Sequence, residues 1–172
     1  MAFTVLVTWA SRHGSTEEVA HQVARDLMKH RFAVDAQPIA EVTTLEPYQA
    51  VVLGAPLYMF RLHKVARRFL SKFREPLSRL PVALFVLGPV HADPKEFAAA
   101  EGQLDKQLAN FPWFSPVVRQ VMGGRFDPQN LGFLMRMVPA LRNQPASDAR
   151  DWDAIHAWAN NLPSVLQPAP HR

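Results

Sequence analysis

The residues between the first apolar run and the first helical pattern have the types and order expected of a phosphate site. The first N–H groups of a helix have no partner within the helix and lie at the positive end of its dipole, so they bind phosphate readily. Ser11, Ser15 and Thr16 add hydroxyl donors, and Gly14 lets the backbone close around an anion. The alternative is an ordinary helix capped by Ser15 or Thr16.

The glycine pattern of this turn limits the kind of phosphate compound that it can hold. A nucleoside triphosphate loop needs two glycines separated by four residues and followed by lysine, and a dinucleotide loop needs three glycines. Gly14 is the only glycine between residues 5 and 20, and no lysine follows it there. The turn therefore favours one monophosphate held by backbone amides and hydroxyl groups.

A scaffold of strands and helices must position this turn, and the apolar pattern along the chain predicts a parallel α/β sheet. The strands are predicted at residues 3–8, 33–38, 50–54, 82–87 and 117–122. The helices are predicted at residues 16–30, 63–77, 94–110 and 148–162. Right-handed crossovers make 2-1-3-4-5 the natural order of the five strands, with helices on both faces of a doubly wound sheet.

Length and composition limit the number of domains and the compartment. The chain has 172 residues, which suffices for one well-buried core and predicts a single domain over residues 1–172. It contains no cysteine, so disulfides, thiolate nucleophiles and sulfur-ligated metals are excluded. The first apolar run is too short to span a bilayer and no charged segment precedes it, so we expect a cytoplasmic protein.

Two further loops are expected beside the phosphate turn, because ligands of such sheets bind beyond the carboxyl ends of the central strands. The loop after the third strand offers flat or polarisable walls for an aromatic ring, at Pro56, Leu57, Tyr58, Met59 and Phe60. The loop after the fourth strand offers a glycine and amides for the polar edge of a ring, at Gly88, Pro89, Val90, His91 and Asp93. The alternative for Tyr58 is a surface aromatic that covers the core.

The phosphate turn resembles the FMN-phosphate loop of the flavodoxin family. Ser11, Gly14 and Thr16 fall on that family's hydroxyl, glycine and threonine positions, and His13 stands where flavodoxins often carry a second threonine. The resemblance implies a flavodoxin-like fold that binds FMN noncovalently. It places the FMN phosphate in the turn and the isoalloxazine ring between the loops after the third and fourth strands.

The later part of the chain resembles a narrower branch, the menaquinone-dependent protoporphyrinogen oxidases. The resemblance rests on a basic helix after residues 55–63, on Gly123 and Gly124, on the apolar segment 131–141 and on the last helix. It implies an oxidoreductase that takes hydrogen from a porphyrinogen and passes electrons to a quinone. Two alternatives stay open: an electron carrier without a substrate pocket of its own, and a flavodoxin-like scaffold without cofactor.

Basic charge predicts an anionic partner. The net charge is +4, and residues 61–79 carry seven basic side chains against one acidic one. Lys64, Arg68 and Lys72 share one helix face, with Arg61 just before it. We expect this face to contact an anionic membrane, at about 1 kcal/mol per basic residue, or the propionates of a substrate. The alternative is a solvated helix face, and no nucleic acid partner is expected.

The remaining candidates are the apolar segment 131–141 and the histidines. The segment is either a short helix over the sheet edge or an apolar contact for a quinone or a bilayer interface. Seven histidines occur without a metal-binding pattern, so no metal is expected. His13 would polarise the phosphate while His63 and His91 would border the flavin, and the alternative for each is a polar loop residue.

Overall fold

Short apolar runs form the strands of a parallel sheet in the computed structural model, which describes residues 2–58 and 61–167. The strands of this sheet are β1 (Thr4–Trp9), β2 (Ala33–Pro38), β3 (Ala50–Tyr58), β4 (Arg61–Leu62), β5 (Val82–Leu87) and β6 (Val118–Met122). Five of them are parallel in the order β2-β1-β3-β5-β6, and β4 pairs antiparallel with the end of β3. The predicted strand order and fold class are confirmed.

Helices cover both faces of the sheet. They are α1 (Ser15–Lys29), α2 (Lys64–Lys72), α3 (Arg74–Leu77), α4 (Pro94–Leu108), α5 (Phe133–Arg136), α6 (Pro139–Arg142) and α7 (Trp152–Leu166). One core layer lies under α1 and α7 and contains Val23, Phe85 and Ile155. The other lies under α2, α3 and α4 and contains Phe69 and Leu104. Because both faces are covered, β3 and β5 are almost continuously apolar.

A long excursion follows β6 and returns to the sheet before α7. Its stem is a two-stranded antiparallel ribbon of β7 (Arg125–Phe126) and β8 (Ser147–Asp148). Between these strands lie the 3₁₀ turn Pro128–Asn130 and the short helices α5 and α6. We call residues 124–144 the roof segment, because several of its side chains close a cavity at the carboxyl edge of the sheet.

The loop predicted to begin at residue 55 begins later, because residues 55–58 belong to β3. Strand β3 continues to Tyr58 because Ala55 and Pro56 pair with the end of β5, and Leu57 and Tyr58 pair with β4. The β5 partners are distant in sequence, and the two-residue strand β4 was not predicted, so local composition did not reveal these pairings. Met59 and Phe60, also predicted as flavin contacts, lie outside the described residues.

The predicted boundaries of two helices also differ from the structure. The basic helix ends at Lys72 and a short helix follows, because Pro76 lacks an N–H and its ring would clash with the carbonyl of Lys72. The last helix begins at Trp152 instead of residue 148. Asp148 belongs to β8, and the carboxylate of Asp151 caps the helix by accepting from the Ala154 N–H at 3.0 Å.

Candidate functional site

The turn between β1 and α1 has the geometry of an anion-binding helix N-terminus. Gly14 caps α1 with φ +86° and ψ −10°, a left-handed conformation that strains any residue with a Cβ. The Ser11 hydroxyl accepts a hydrogen bond from the Gly14 N–H at 2.9 Å and so holds the turn closed. No side chain in the described structure caps α1, so the first N–H groups of the helix are available to a ligand.

The acidic residues of the first turn of α1 are partly neutralised by neighbouring cations. Glu17 and Glu18 favour the helix dipole but oppose an incoming phosphate. The Glu18 carboxylate lies 2.7 Å from Nη1 of Arg150, a buried side chain that also binds Asp148 at 2.8 Å. The hydrogen bond that Arg150 donates to the Asp148 carboxylate is the main cause that raises the pKa of Arg150. This network also anchors the base of the β7–β8 ribbon to α1.

A cavity of about 280 Å³ opens next to this turn, at the carboxyl ends of the central strands. The predicted site residues that line it come from all three expected loops: His13, Ser15, Thr16, Pro56, Leu57, Tyr58, Gly88 and Val90. The β1 and β3 loops lie on either side of the point where the sheet reverses its winding direction, as the topology requires. The hydroxyl groups of the phosphate turn and the flat apolar side chains of the other loops match the chemistry of the phosphate and the ring of FMN.

The other predicted site residues hold the loops in shape. The Gly124 N–H donates to the Pro89 carbonyl at 2.6 Å, which joins the loop after β5 to the roof segment. The His91 ring pairs with Glu96 at 2.8 Å, and this hydrogen bond is the main cause that lowers the pKa of Glu96. Asp93 caps α4 by accepting from the Lys95 N–H at 2.8 Å. His91 and Asp93 are not among the described residues that line the cavity.

The roof segment supplies cavity walls that the sequence did not assign to the site. Its contributors are Gly124, Arg125, Phe126, Asp127, Asn130, Leu131, Met135, Leu141 and Gln144. The Gly-Gly pair and the apolar segment 131–141 were the available signals, but neither indicated contact with the loops of the sheet. Gly123 is required by a close approach, because a Cβ there would lie 1.8 Å from the Ala149 carbonyl oxygen.

The roof segment has one face toward the cavity and another toward solvent. Leu131 is buried and Met135 is half-buried, whereas Phe133, Leu134 and Met137 are 79%, 77% and 67% exposed. The Arg136 guanidinium donates to the Gln129 carbonyl at 2.5 Å and holds α5 against the preceding turn. The roof segment is therefore held in place by a hydrogen bond and exposes apolar side chains to solvent.

Arg12 lines the cavity but was not predicted as a site residue from the sequence. Its guanidinium carbon lies 4.9 Å from the centroid of the Tyr58 ring, at cation–π distance. Burial, followed by the positive charge of Arg12, lowers the pKa of His13. The same two causes act on His63, with further contributions from Lys64 and Arg67, and lower its pKa. Both histidines are thus disposed to be neutral near pH 7.

The predicted basic face is exposed. Arg61, Lys64, Arg68 and Lys72 are all open to solvent. None of the four forms an ion pair within 4.0 Å across residues 2–58 and 61–167, whereas the neighbouring Arg79 binds Glu75 at 2.7 Å. The charge of this face is therefore available to an external anion.

Solved structures with this fold include several flavodoxins. A cysteine-to-alanine mutant of flavodoxin from Pseudomonas aeruginosa is 17% identical, covers 96% of this chain and 99% of its own, and has a TM-score of 0.60. Flavodoxin 1 from Bacillus cereus is 21% identical, with a TM-score of 0.50 over 70% of this chain and 85% of its own. At these identities the likeness shows the fold alone.

The same fold occurs as part of a larger protein, and the family follows from a sequence comparison. Rubredoxin oxygen:oxidoreductase from Desulfovibrio gigas is 13% identical, with a TM-score of 0.52 over 95% of this chain and 35% of its own. No curated protein matches this chain at a significant level. The model of the flavodoxin domain family matches residues 6–151. With that match over most of its length, the chain belongs to the flavodoxin domain family.

Proposed function

We propose that the cavity binds FMN and that the protein is an FMN-dependent oxidoreductase with its own substrate pocket. The observation that carries the proposal is the convergence of three loops and the roof segment on one cavity. When bound, FMN would accept hydrogen from a reduced, porphyrinogen-like substrate and pass the electrons on to a quinone. The protein contributes phosphate binding at residues 11–16, ring contact at Tyr58, and exclusion of water by the roof segment.

The roof segment favours an enzyme over a simple electron carrier. A carrier needs an accessible ring edge for its protein partner, whereas here Leu131, Met135 and Leu141 close over the cavity. Apolar walls of this kind suit a flat organic molecule beside the ring. The carrier remains the second candidate, because family membership by itself is equally compatible with it.

We also propose that the protein works against an anionic membrane surface. Arg61, Lys64, Arg68 and Lys72 form an exposed basic face, and the outer surface of the roof segment adds exposed apolar side chains such as Phe133. Basic and apolar residues together are typical of interfacial binding. No helix among the described residues has the length and apolar character needed to cross a bilayer.

The first experiment tests FMN and the location of its phosphate. The purified protein should carry or take up FMN, seen as flavin absorption and as quenched flavin fluorescence on titration. The double variant Gly14→Val, Thr16→Ala should weaken FMN by about tenfold or more because it distorts the phosphate turn, and should weaken riboflavin far less. The control Gly102→Val, Thr43→Ala makes the same changes elsewhere. Equal losses for both ligands would place the phosphate outside this turn.

The second experiment tests the substrate and the membrane. Porphyrinogen oxidation with a menaquinone analogue and sedimentation with anionic vesicles are measured at low and high salt. Replacement of Lys64, Arg68 and Lys72 by Gln should reduce vesicle binding and leave FMN affinity unchanged, since exposed charges act over a screening length of about 8 Å at physiological salt. Absence of porphyrinogen oxidation by the wild type at any salt would favour the carrier. Unchanged sedimentation of the triple variant would show that the basic face is merely solvated.

A further inference from the structure

Cationic side chains lie around the end of β3, at Pro56 and Tyr58. Arg12 lies over Tyr58, and the His63 N–H donates to the carbonyl of Pro56 at 3.2 Å. Both Pro56 and Tyr58 line the cavity. His63 also caps α2, because its Nδ1 accepts from the Val65 N–H at 3.3 Å. The positive charges of Arg12, Lys64 and Arg67 all act on the His63 ring.

These cations have no anionic partner within the described structure. Some arginines elsewhere are paired: Arg119 lies 2.5 Å from Asp105, and Arg150 binds two carboxylates. No carboxylate among the described residues lies within 4.0 Å of Arg12 or Arg67.

Among these cations, Arg67 gives the clearest indication of a missing anionic partner. Its Nε is buried and has no hydrogen-bond partner. Leaving a buried donor of a charged group unpaired is costly, and the cost falls when an anion accepts from that group. A guanidinium group is also suited to the planar, two-oxygen geometry of a carboxylate. The arrangement therefore indicates a ligand group that the protein itself does not supply.

We propose that Arg12, beside Tyr58, and Arg67, one turn after His63 in α2, form a binding site for a carboxylate of the substrate, next to the cavity wall at Tyr58. The proposal rests on the proposed function and deepens it, because it assigns the specificity for an acidic, flat substrate to particular residues. Arg12 is the outer, exposed member and Arg67 the inner, half-buried one. A carboxylate held here would place the attached ring system against the Tyr58 side of the cavity.

The FMN phosphate is the other anion that this cluster could attract, and the test below separates the two. The amides and hydroxyls available for the phosphate belong to the N-terminus of α1, at Ser15 and Thr16. Arg12 belongs to the same turn, but its guanidinium lies over the Tyr58 ring, where the ring of the cofactor is expected. This position favours a substrate carboxylate over the phosphate as its partner.

The test compares two probes of matched shape, 2-naphthoate and its neutral amide, 2-naphthamide. Binding is measured by calorimetry and by ligand-observed NMR on the FMN-loaded and the FMN-free protein. We expect the wild type to prefer the carboxylate by about tenfold, the usual size of one charge-assisted hydrogen bond. Arg12→Gln and Arg67→Gln should abolish this preference, and Arg12→Lys should restore part of it. Arg74→Gln, an equal charge change at an exposed residue of the neighbouring helix α3, should not affect it.

Several outcomes would overturn the assignment. They are equal binding of both probes by the wild type, an unchanged preference in Arg12→Gln and Arg67→Gln, or the same loss in Arg74→Gln. Arg12 is exposed, so its variants should fold, and thermal unfolding checks Arg67→Gln. If Arg12→Gln weakens FMN but not riboflavin and leaves the naphthoate preference intact, the cluster belongs to the cofactor phosphate. If FMN never binds while the naphthoate preference depends on Arg12, the anion site stands and the proposed function fails.

Discussion

Two regions of the molecule differ in whether their polar side chains have partners. One is the interface between α1 and α7, and the other is the carboxyl edge of the sheet. At the interface, the Asp26 carboxylate is fully buried and has close partners on both helices, with His156 at 2.6 Å and Lys29 at 2.7 Å. At the carboxyl edge, Arg12 and Arg67 have no carboxylate partner among the described residues, and Leu134 is 77% exposed. The Asp26 cluster satisfies its own groups, whereas the second region leaves these side chains for a ligand or a surface.

This difference separates residues that maintain the fold from residues that are available for function. Buried polar groups normally have partners, so the paired Asp26 cluster needs no external explanation. A buried donor without a partner, such as Nε of Arg67, lowers stability, and exposed apolar patches lower solubility, unless something binds them. Their concentration around one cavity is therefore better evidence for function than any single motif.

The largest expected effect compares two leucines, one from each region. Leu27 of α1 is fully buried and Leu134 of the roof segment is largely exposed. Leu27→Ala should lower the free energy of unfolding by about 3 kcal/mol, because it leaves a cavity in the core. Leu134→Ala should change it by less than about 0.5 kcal/mol. Urea denaturation measures both, and similar losses would show that the roof segment is part of the core.

A smaller effect is expected at Asp26, with a defined dependence on pH. Burial opposes the charged form, but hydrogen bonds from Lys29, His156 and Gln22 outweigh it and lower the pKa of Asp26. A pKa lowered by folding adds stability above the ordinary value of about 4, and this contribution is lost as pH falls through the folded-state value. Asp26→Ala should therefore cost about 2 kcal/mol at pH 7 and progressively less below pH 4.

Denaturation of the wild type and of Asp26→Ala at pH 7 and pH 3 measures this difference. Glu46→Ala is the control, since Glu46 is exposed and forms no ion pair in the described structure. A difference between wild type and Asp26→Ala that is as large at pH 3 as at pH 7 would contradict a charged Asp26 at this interface.

The smallest expected effect compares two glycines that precede helices. Gly14 has φ +86°, whereas Gly132, before α5, has φ −61° and open space around it. Gly14→Ala should cost about 1 kcal/mol because a Cβ is unfavourable in the left-handed region. Gly132→Ala should be neutral or slightly stabilising, since it restricts the unfolded chain. Thermal unfolding distinguishes the two, and equal effects would show that the phosphate turn is not held in this conformation.

Much of the fold could be predicted from the sequence because its signals are local. Strands β2 and β5 have the predicted bounds, and the turn that precedes α1 was recognised from its hydroxyl and glycine residues. The errors have two causes. The extension of β3 beyond Gly54 begins with pairing to the distant strand β5, which is a tertiary contact. The start of α7 at Trp152 depends on a local cap by Asp151, which the apolar pattern did not reveal. The narrower resemblance to quinone-linked oxidases is not supported by the comparisons and stays a proposal.

The sequence by itself determined the order of strands and helices, the glycine-capped turn after β1 and the excess of basic side chains around α2. These follow from backbone propensities and from periodic burial, which act over a few residues. Only the tertiary structure decided that residues 124–144 line the cavity, and that the charge of Arg12 acts on His63. These groups lie more than thirty positions apart in sequence and come together only when the whole sheet has assembled.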